Sequence, residues 1–214
     1  MHGLQKRLQI GMMNTMHDKP HDSTSQQDAP DKSSLRHAQT PVIGFVAPSG
    51  TGKTTLLSQI VRLLSAQGLR IGVVKQARDD FDVDIPGKDS YELRKAGLDS
   101  IIIGSERKSA QIDEHPDGRD PNLDELLLHF DQEALDLILV EGFTEQRFPK
   151  IELQRGENLK TRYPLDPDVI ALATDRLAQT HASIPIFDIN NPKAVAEFLL
   201  TRLMPDTLSG ETTS

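Results

Sequence analysis

A lysine, three hydroxyl side chains and two glycines stand close together in Ala47-Pro48-Ser49-Gly50-Thr51-Gly52-Lys53-Thr54, with Thr55 next in line. The apolar run VIGFV precedes them and LLSQIVRLLSAQG follows. The spacing is that of a phosphate loop, G-x-x-x-x-G-K-[ST], set between a buried strand and a helix. Ala47 replaces the first glycine, a position that needs only a small side chain for the backbone to turn. A plain glycine turn with an incidental lysine is the competing account, and the flanking strand and helix patterns weigh against it. In a phosphate loop, glycines let successive backbone N–H groups converge on one anion, and the helix start adds its unpaired N–H groups and positive dipole end. The expected nucleotide-binding residues are therefore Ser49, Gly50, Thr51, Gly52, Lys53, Thr54 and Thr55. Lys53 lies against the β- and γ-phosphates, Thr54 offers its hydroxyl to Mg²⁺, and Thr55 serves the α-phosphate.

A triphosphate site also needs a carboxylate near its metal. LDLILVEG supplies one where an apolar strand ends, and Glu141 is the expected Mg²⁺ residue, directly or through water. Asp136, at the start of the same strand, falls at the wrong edge of the sheet. Asp80, Asp82 and Asp84 crowd after another strand end, and two accounts fit them. They form a solvated charged loop, or they face the metal or attacking water once nucleotide orders the loop. On the second account Lys53, Asp80, Asp82 and Asp84 are the catalytic candidates. Lys75, which ends that strand, pairs with phosphate or with these carboxylates. Asp89 or Ser90 is expected to cap the helix that follows.

Positioning such a site takes short apolar runs alternating with helical periods, the signature of parallel strands with crossover helices. Strands are expected at 42–47, 70–76, 100–105, 135–142, 169–174 and 184–189. Helices are expected at 53–67, stopped by Gly68, at 88–97, at 122–132 and at 192–204, with proline in the first turn. Two further strand candidates, 108–113 and 149–155, lack a preceding helix and fit an antiparallel edge or an excursion. The fold class is α/β, a P-loop NTPase fold with a mostly parallel sheet, helices on both faces and a small antiparallel excursion.

Composition agrees. With 214 residues, one sizeable core is the default, and 4% aromatics with no Trp leaves that core aliphatic. Zero cysteines exclude disulfides, thiolate metal sites and a cysteine nucleophile, and fit a reducing cytoplasm. A balance of 24 Lys+Arg against 32 Asp+Glu, net −8, disfavours broad attraction to nucleic acid or anionic membrane. No apolar run approaches the ~20 residues a membrane helix needs. Residues 1–40 are polar and aperiodic, so disorder is expected there, with His17, His21 and His37 as loose metal candidates at most. The globular domain is expected over 41–204, followed by a flexible tail at 205–214.

Three blocks taken together, APSGTGKTTLL, VVKQARDDFDVDIPGKDSYELRKAG and LDLILVEGF, resemble the molybdopterin-guanine dinucleotide biosynthesis protein B family, MobB, over about 42–203. The middle block is the distinctive one, since many P-loop proteins share the others. The resemblance implies a homodimeric, GTP-binding accessory protein that assists a MobA-type guanylyltransferase in attaching GMP to molybdopterin. GTP and Mg²⁺ are the implied ligands, and direct contact with molybdopterin is left open. Family members often carry several histidines after the strand-end lysine, where this chain has Gln76, Ala77, Arg78 and Asp79. In related guanine-binding folds a late-loop Asp reads the base; Asp175 is the first candidate and Asn190 the second, and ordinary turn roles fit both.

No arginine finger or water-orienting Gln is fixed by motif, so turnover of roughly 10⁻⁴ to 10⁻² per second is expected without a partner. Arg78 and Arg94 are candidates for action across a dimer. Two other classes compete with the adapter: a small-molecule kinase, which needs an arginine-rich lid, and a metal-insertion G protein. The latter needs Cys or His ligands, and His115, His129 and His181 are scattered.

Overall fold

The computed structural model describes residues 35–77, 81–116, 118–156 and 161–203. Expectations for 1–34, for Arg78, Asp79 and Asp80, and for 204–214 lie outside the described residues. In chain order the elements are β1 (Val42–Val46), α1 (Lys53–Ser65), β2 (Ile71–Lys75), α2 (Asp89–Lys95), β3 (Ser100–Gly104) and β4 (Ser109–Asp113). There follow α3 (Leu123–Leu126), β5 (Leu137–Glu141), β6 (Lys150–Gln154), β7 (Val169–Thr174), β8 (Ile186–Asp188) and α4 (Pro192–Leu203).

Aliphatic side chains on both faces of β1 and β5 place these strands inside the sheet, as parallel strands covered on both sides require. Six strands pair in the order β2-β5-β1-β6-β7-β8, every neighbouring pair parallel. On one face Ile43, Phe45, Leu137 and Leu139 pack against Ile60 of α1 and Leu199 of α4. On the other, Val42, Ile138 and Val140 meet Leu123 of α3, Leu127, Phe143 and Phe148. The sequence-derived fold class therefore holds: a mostly parallel sheet with helices and a separate two-stranded antiparallel sheet, β3-β4.

Five expectations need correction. The 149–155 segment is no edge or excursion; β6 is an interior parallel strand between β1 and β7. The missing crossover helix suggested an edge, yet the strand is interior and its polar residues Lys150, Glu152 and Gln154 are all buried. Segment 161–168 covers the first two. Lys150 is 1% exposed, with Nζ 3.7 Å from Asp166 and 3.5 Å from Asp168. Glu152 accepts the backbone N–H groups of Arg162 and Tyr163 at 2.7 and 3.0 Å. Conversely, the apolar run of β3 does not join the main sheet. A tight turn, with Ser105 N–H on the Lys108 carbonyl at 2.8 Å, returns the chain so that β3 pairs with β4.

The expected helix over 122–132 is cut short. Asn122 caps α3 by accepting the Asp124 N–H at 2.9 Å, a 3₁₀ turn continues to His129, and Phe130 is extended. That break frees Gln132, whose buried side chain accepts the N–H groups of Gln39 and Thr40 and donates to the carbonyls of His37 and Leu127. Residues 35–40, expected to lie outside the globular part, are thus docked on it, with Leu35 and Ala38 against the second core. At α2 the N-cap is Lys88, without a side-chain cap, rather than Asp89 or Ser90.

Candidate functional site

Parallel strands deliver their C-terminal ends to one edge, and there the site assembles. Strand register sets Lys75 and Phe45 on either side of Glu141. The chain leaves β1, turns through 47–52 and enters α1. Gly50 and Gly52 hold φ of 80° and 94°, a left-handed conformation that costs an L side chain and that glycine adopts freely. Gly52 is the N-cap of α1, no side chain caps that end, and the first turn carries no acidic residue. The helix therefore presents its N–H groups and positive dipole end to any anion in the loop. Thr51 is buried and braces the turn, its hydroxyl donating to the Pro48 carbonyl at 2.8 Å.

Glu141 is the centre of the charged cluster. Its Oε1 accepts the Thr54 hydroxyl at 3.4 Å and lies 3.8 Å from Lys53 Nζ, while Oε2 lies 3.9 Å from Lys75 Nζ. Lys53 also reaches back over the loop to the Ala47 carbonyl at 3.4 Å, which places a charged amine across the cradle despite the missing first glycine. Thr54 and Thr55 are exposed at the helix start, and Ser49 is exposed in the loop. Two amines, a carboxylate and a hydroxyl at the mouth of a helix N-terminus suit a metal-bound polyphosphate: the amines and N–H groups would meet the phosphate oxygens, the carboxylate and hydroxyl the cation. Mg²⁺ is typically held by one or two carboxylates plus substrate phosphates, so one Glu with Thr54 fits it. Among the described residues no group of three or more His, Asp or Glu is placed to hold a metal by itself.

A residue missed in the sequence shapes this edge. Gln76 accepts the Phe143 N–H at 2.7 Å through Oε1, while its own N–H donates to the Glu141 carbonyl at 2.8 Å. A Cβ on Gly142, at φ 102°, would stand 2.6 Å from Gln76 Cβ, so only glycine lets the two strand ends close. Gln76 thus fixes the backbone on both sides of the Glu141 carboxylate. Asp136 sits at the opposite end of β5, accepting the Arg70 N–H at 2.7 Å.

The other acidic candidates are engaged elsewhere. Asp82 accepts from Arg94 at 2.9 Å, Asp84 lies 3.9 Å from Arg94 Nε, and Glu114 accepts from Arg94 at 2.7 Å. Among the described residues neither aspartate contacts the phosphate loop. Hydrogen bonds to Asp82 and Glu114 hold the Arg94 guanidinium above its already high ordinary range, so it stays charged and ties the post-β2 loop to α2. On the far side of the loop Asp175 accepts the Gly156 N–H through both oxygens, at 3.1 and 3.3 Å. Asn190 accepts from Arg155 at 3.2 Å, and Arg155 Nε donates to the Thr51 carbonyl at 3.1 Å. Arg155 was invisible as a site residue only because β6 read as an edge; at the C-terminal end of an interior parallel strand it meets the same criterion as Glu141.

Comparison with known proteins identifies the family and the fold. A family model described as "Molybdopterin guanine dinucleotide synthesis protein B" matches residues 42–175. The chain is 41% identical over 162 residues to a molybdopterin-guanine dinucleotide biosynthesis adapter protein of Escherichia coli (strain K12), covering 75% of this chain and 91% of that one. It is 35% identical to the adapter protein of the same name from Haemophilus influenzae, over 75% and 88% of the two chains. Among solved structures, a MobB homolog from Bacillus stearothermophilus superposes with a TM-score of 0.59 at 22% identity, over 77% of this chain and 98% of that one. Bacillus subtilis MobB gives 0.58 at 24% identity, over 76% and 97%. These two show a shared fold.

Proposed function

This chain belongs to the molybdopterin guanine dinucleotide synthesis protein B family, and from that premise we propose that it is a GTP-binding adapter in molybdenum cofactor biosynthesis. It assists a MobA-type guanylyltransferase in converting molybdopterin to molybdopterin guanine dinucleotide. The observation that carries the nucleotide part is the meeting of Lys53, Thr54 and Glu141 at the uncapped start of α1. Lys53 and the N–H groups of 50–55 hold the phosphates. Thr54 and Glu141 hold Mg²⁺, directly or through water. A bound Mg²⁺ would supply positive charge to the β- and γ-phosphates, and Lys53, 3.8 Å from Glu141, would add its own charge at the γ-phosphate. Asp175 and Asn190 lie on the base side of the loop. Intrinsic GTP hydrolysis is slow, because Arg94 is committed to Asp82 and Glu114.

The protein acts in the cytoplasm and as a homodimer. Support for the dimer comes from the exposed apolar side chains Phe81, Val83, Ile85, Leu93 and Ile102 around α2 and β3. A two-stranded sheet is marginal alone, and contact with a second copy would cover it. Among the described residues no helix is long and apolar enough to cross a membrane.

The test is a reconstituted guanylylation assay containing guanylyltransferase, molybdopterin, Mg²⁺ and GTP. Adding this protein is expected to raise product formation, and Lys53→Ala is expected to lose that gain. Equal stimulation by both forms would remove nucleotide binding from the account.

A further inference from the structure

We propose that Arg155 and Asn190 form the base-reading end of the nucleotide site and select a purine by its 6-oxo group. This rests on the reading of Lys53 to Thr55 as a triphosphate cradle, and extends it to the other side of the loop. Strand order divides the edge in two: β5 and β2 lie on one side of β1, and β6, β7 and β8 on the other. The first side holds Glu141 and Lys75. On the second lies a cleft of about 220 Å³, lined by Gly52, Thr55 and Gln59 from the loop and α1, and by Arg155, Ile189 and Asn190 from the strand ends. Gly52 and Thr55 belong to both the phosphate loop and the cleft. A nucleotide whose phosphates lie on the loop therefore continues, through its sugar, toward Arg155 and Asn190.

The donor pattern decides which base is accepted. Arg155 spends two of its five N–H donors within the protein, one on Thr51 O and one on Asn190 Oδ1. The first bond couples it to the phosphate loop, and the second fixes the Asn190 amide with its oxygen toward Arg155. Both hydrogens of the Asn190 NH₂ are then uncommitted among the described residues, as are the remaining Arg155 hydrogens. Asn190 is held in place by its own N–H, which donates to Asp188 Oδ1 at 2.8 Å. The cleft wall thus offers donors at two adjacent side chains. Guanine presents two acceptors, O6 and N7, on one edge, and Arg pairs with them in a bidentate manner; adenine presents an amino donor at position 6, which faces donors here. A site built to bond the oxo group rejects the analogue that lacks it. Asp175, the expected guanine acceptor, has its carboxylate on Gly156 N–H, where it secures the turn after Arg155.

Calorimetric titration of the full chain with the Mg²⁺ complexes of GTP, ITP, ATP and inorganic tripolyphosphate tests this, in the unaltered protein, Arg155→Ala and Asn190→Asp. The unaltered protein is expected to bind GTP and ITP alike and ATP more weakly. Each substitution is expected to weaken GTP and ITP roughly tenfold or more, with tripolyphosphate affinity unchanged. Asn190→Asp, which replaces a donor by an acceptor, also narrows the gap to ATP. Rejection of ITP by the unaltered protein places selection at the 2-amino group and overturns the proposal. So does an equal loss of tripolyphosphate and GTP in Arg155→Ala, which confines Arg155 to the phosphate side, as a brace of the loop through Thr51 or as a phosphate ligand. Retained GTP preference in both variants overturns the base role while leaving the triphosphate cradle standing. Failure of the unaltered protein to bind any of the four removes the cradle itself.

Discussion

Glu141 illustrates how one residue draws its role from its neighbours. A carboxylate at the end of a strand is ordinary, and becomes a metal candidate only because register and the phosphate loop bring Lys53, Lys75 and Thr54 around it. Gln76 and Gly142 then hold the backbone that carries it. Glu141→Gln keeps the shape and hydrogen-bonding reach but removes the charge a cation needs. In titrations of GTP with and without Mg²⁺, the gain in affinity from the metal is expected to fall about tenfold or more, while GTP alone binds no worse. A metal effect of unchanged size would remove Glu141 from the metal site. Lys53, Thr54 and Glu141 were legible in the sequence because each sits at a fixed offset from a strand or glycine. Gln76 was not, since its role is a contact between two strand ends 67 residues apart in sequence.

Elements were legible where local pattern and tertiary environment agree. β1, α1, β5 and α4 combine aliphatic runs with a glycine or proline at an end, and they fall within a few residues of expectation. β6 and β3 were misplaced for opposite reasons: charges in β6 are buried because segment 161–168 neutralises them, and isoleucines in β3 are exposed because a tight turn pairs it with β4. The cover over β6 has a consequence in acid. Burial pushes the Asp166 carboxyl up, but hydrogen bonds from Arg162 and the Asp168 N–H, with Lys150 and Arg162 nearby, outweigh it and hold the group below the usual range. A carboxyl depressed in the folded state stabilises it above the unfolded value, about 4, and that contribution is lost as pH falls through the folded value. Asp166→Asn is expected to lower stability at pH 7, with the difference from the unaltered protein shrinking below about pH 4. Urea denaturation at both pH values measures it; a pH-independent difference would deny the carboxylate that role.

Across the whole molecule, a net charge of −8 coexists with an anion site made of two lysines and a helix start. On the proposed reading, nucleotide is held by local geometry rather than by the overall field, and binding should weaken only modestly with salt. The apolar surface around α2 and β3 is the other large-scale feature, and its proposed partner is a second copy. Ile102, 72% exposed, is the probe. Ile102→Asp is expected to shift sedimentation from dimer to monomer with little change in GTP affinity; a dimer that persists in this variant would place the contact elsewhere.

The function proposed for this chain depends on a GTP and Mg²⁺ site built on Lys53. Calorimetric titration of the purified protein with GTP and with ATP, each with Mg²⁺ and each repeated on Lys53→Ala, tests it most directly. GTP is expected to bind clearly tighter than ATP, and Lys53→Ala is expected to lose it. Tighter ATP binding, or GTP binding untouched by the substitution, would contradict the account.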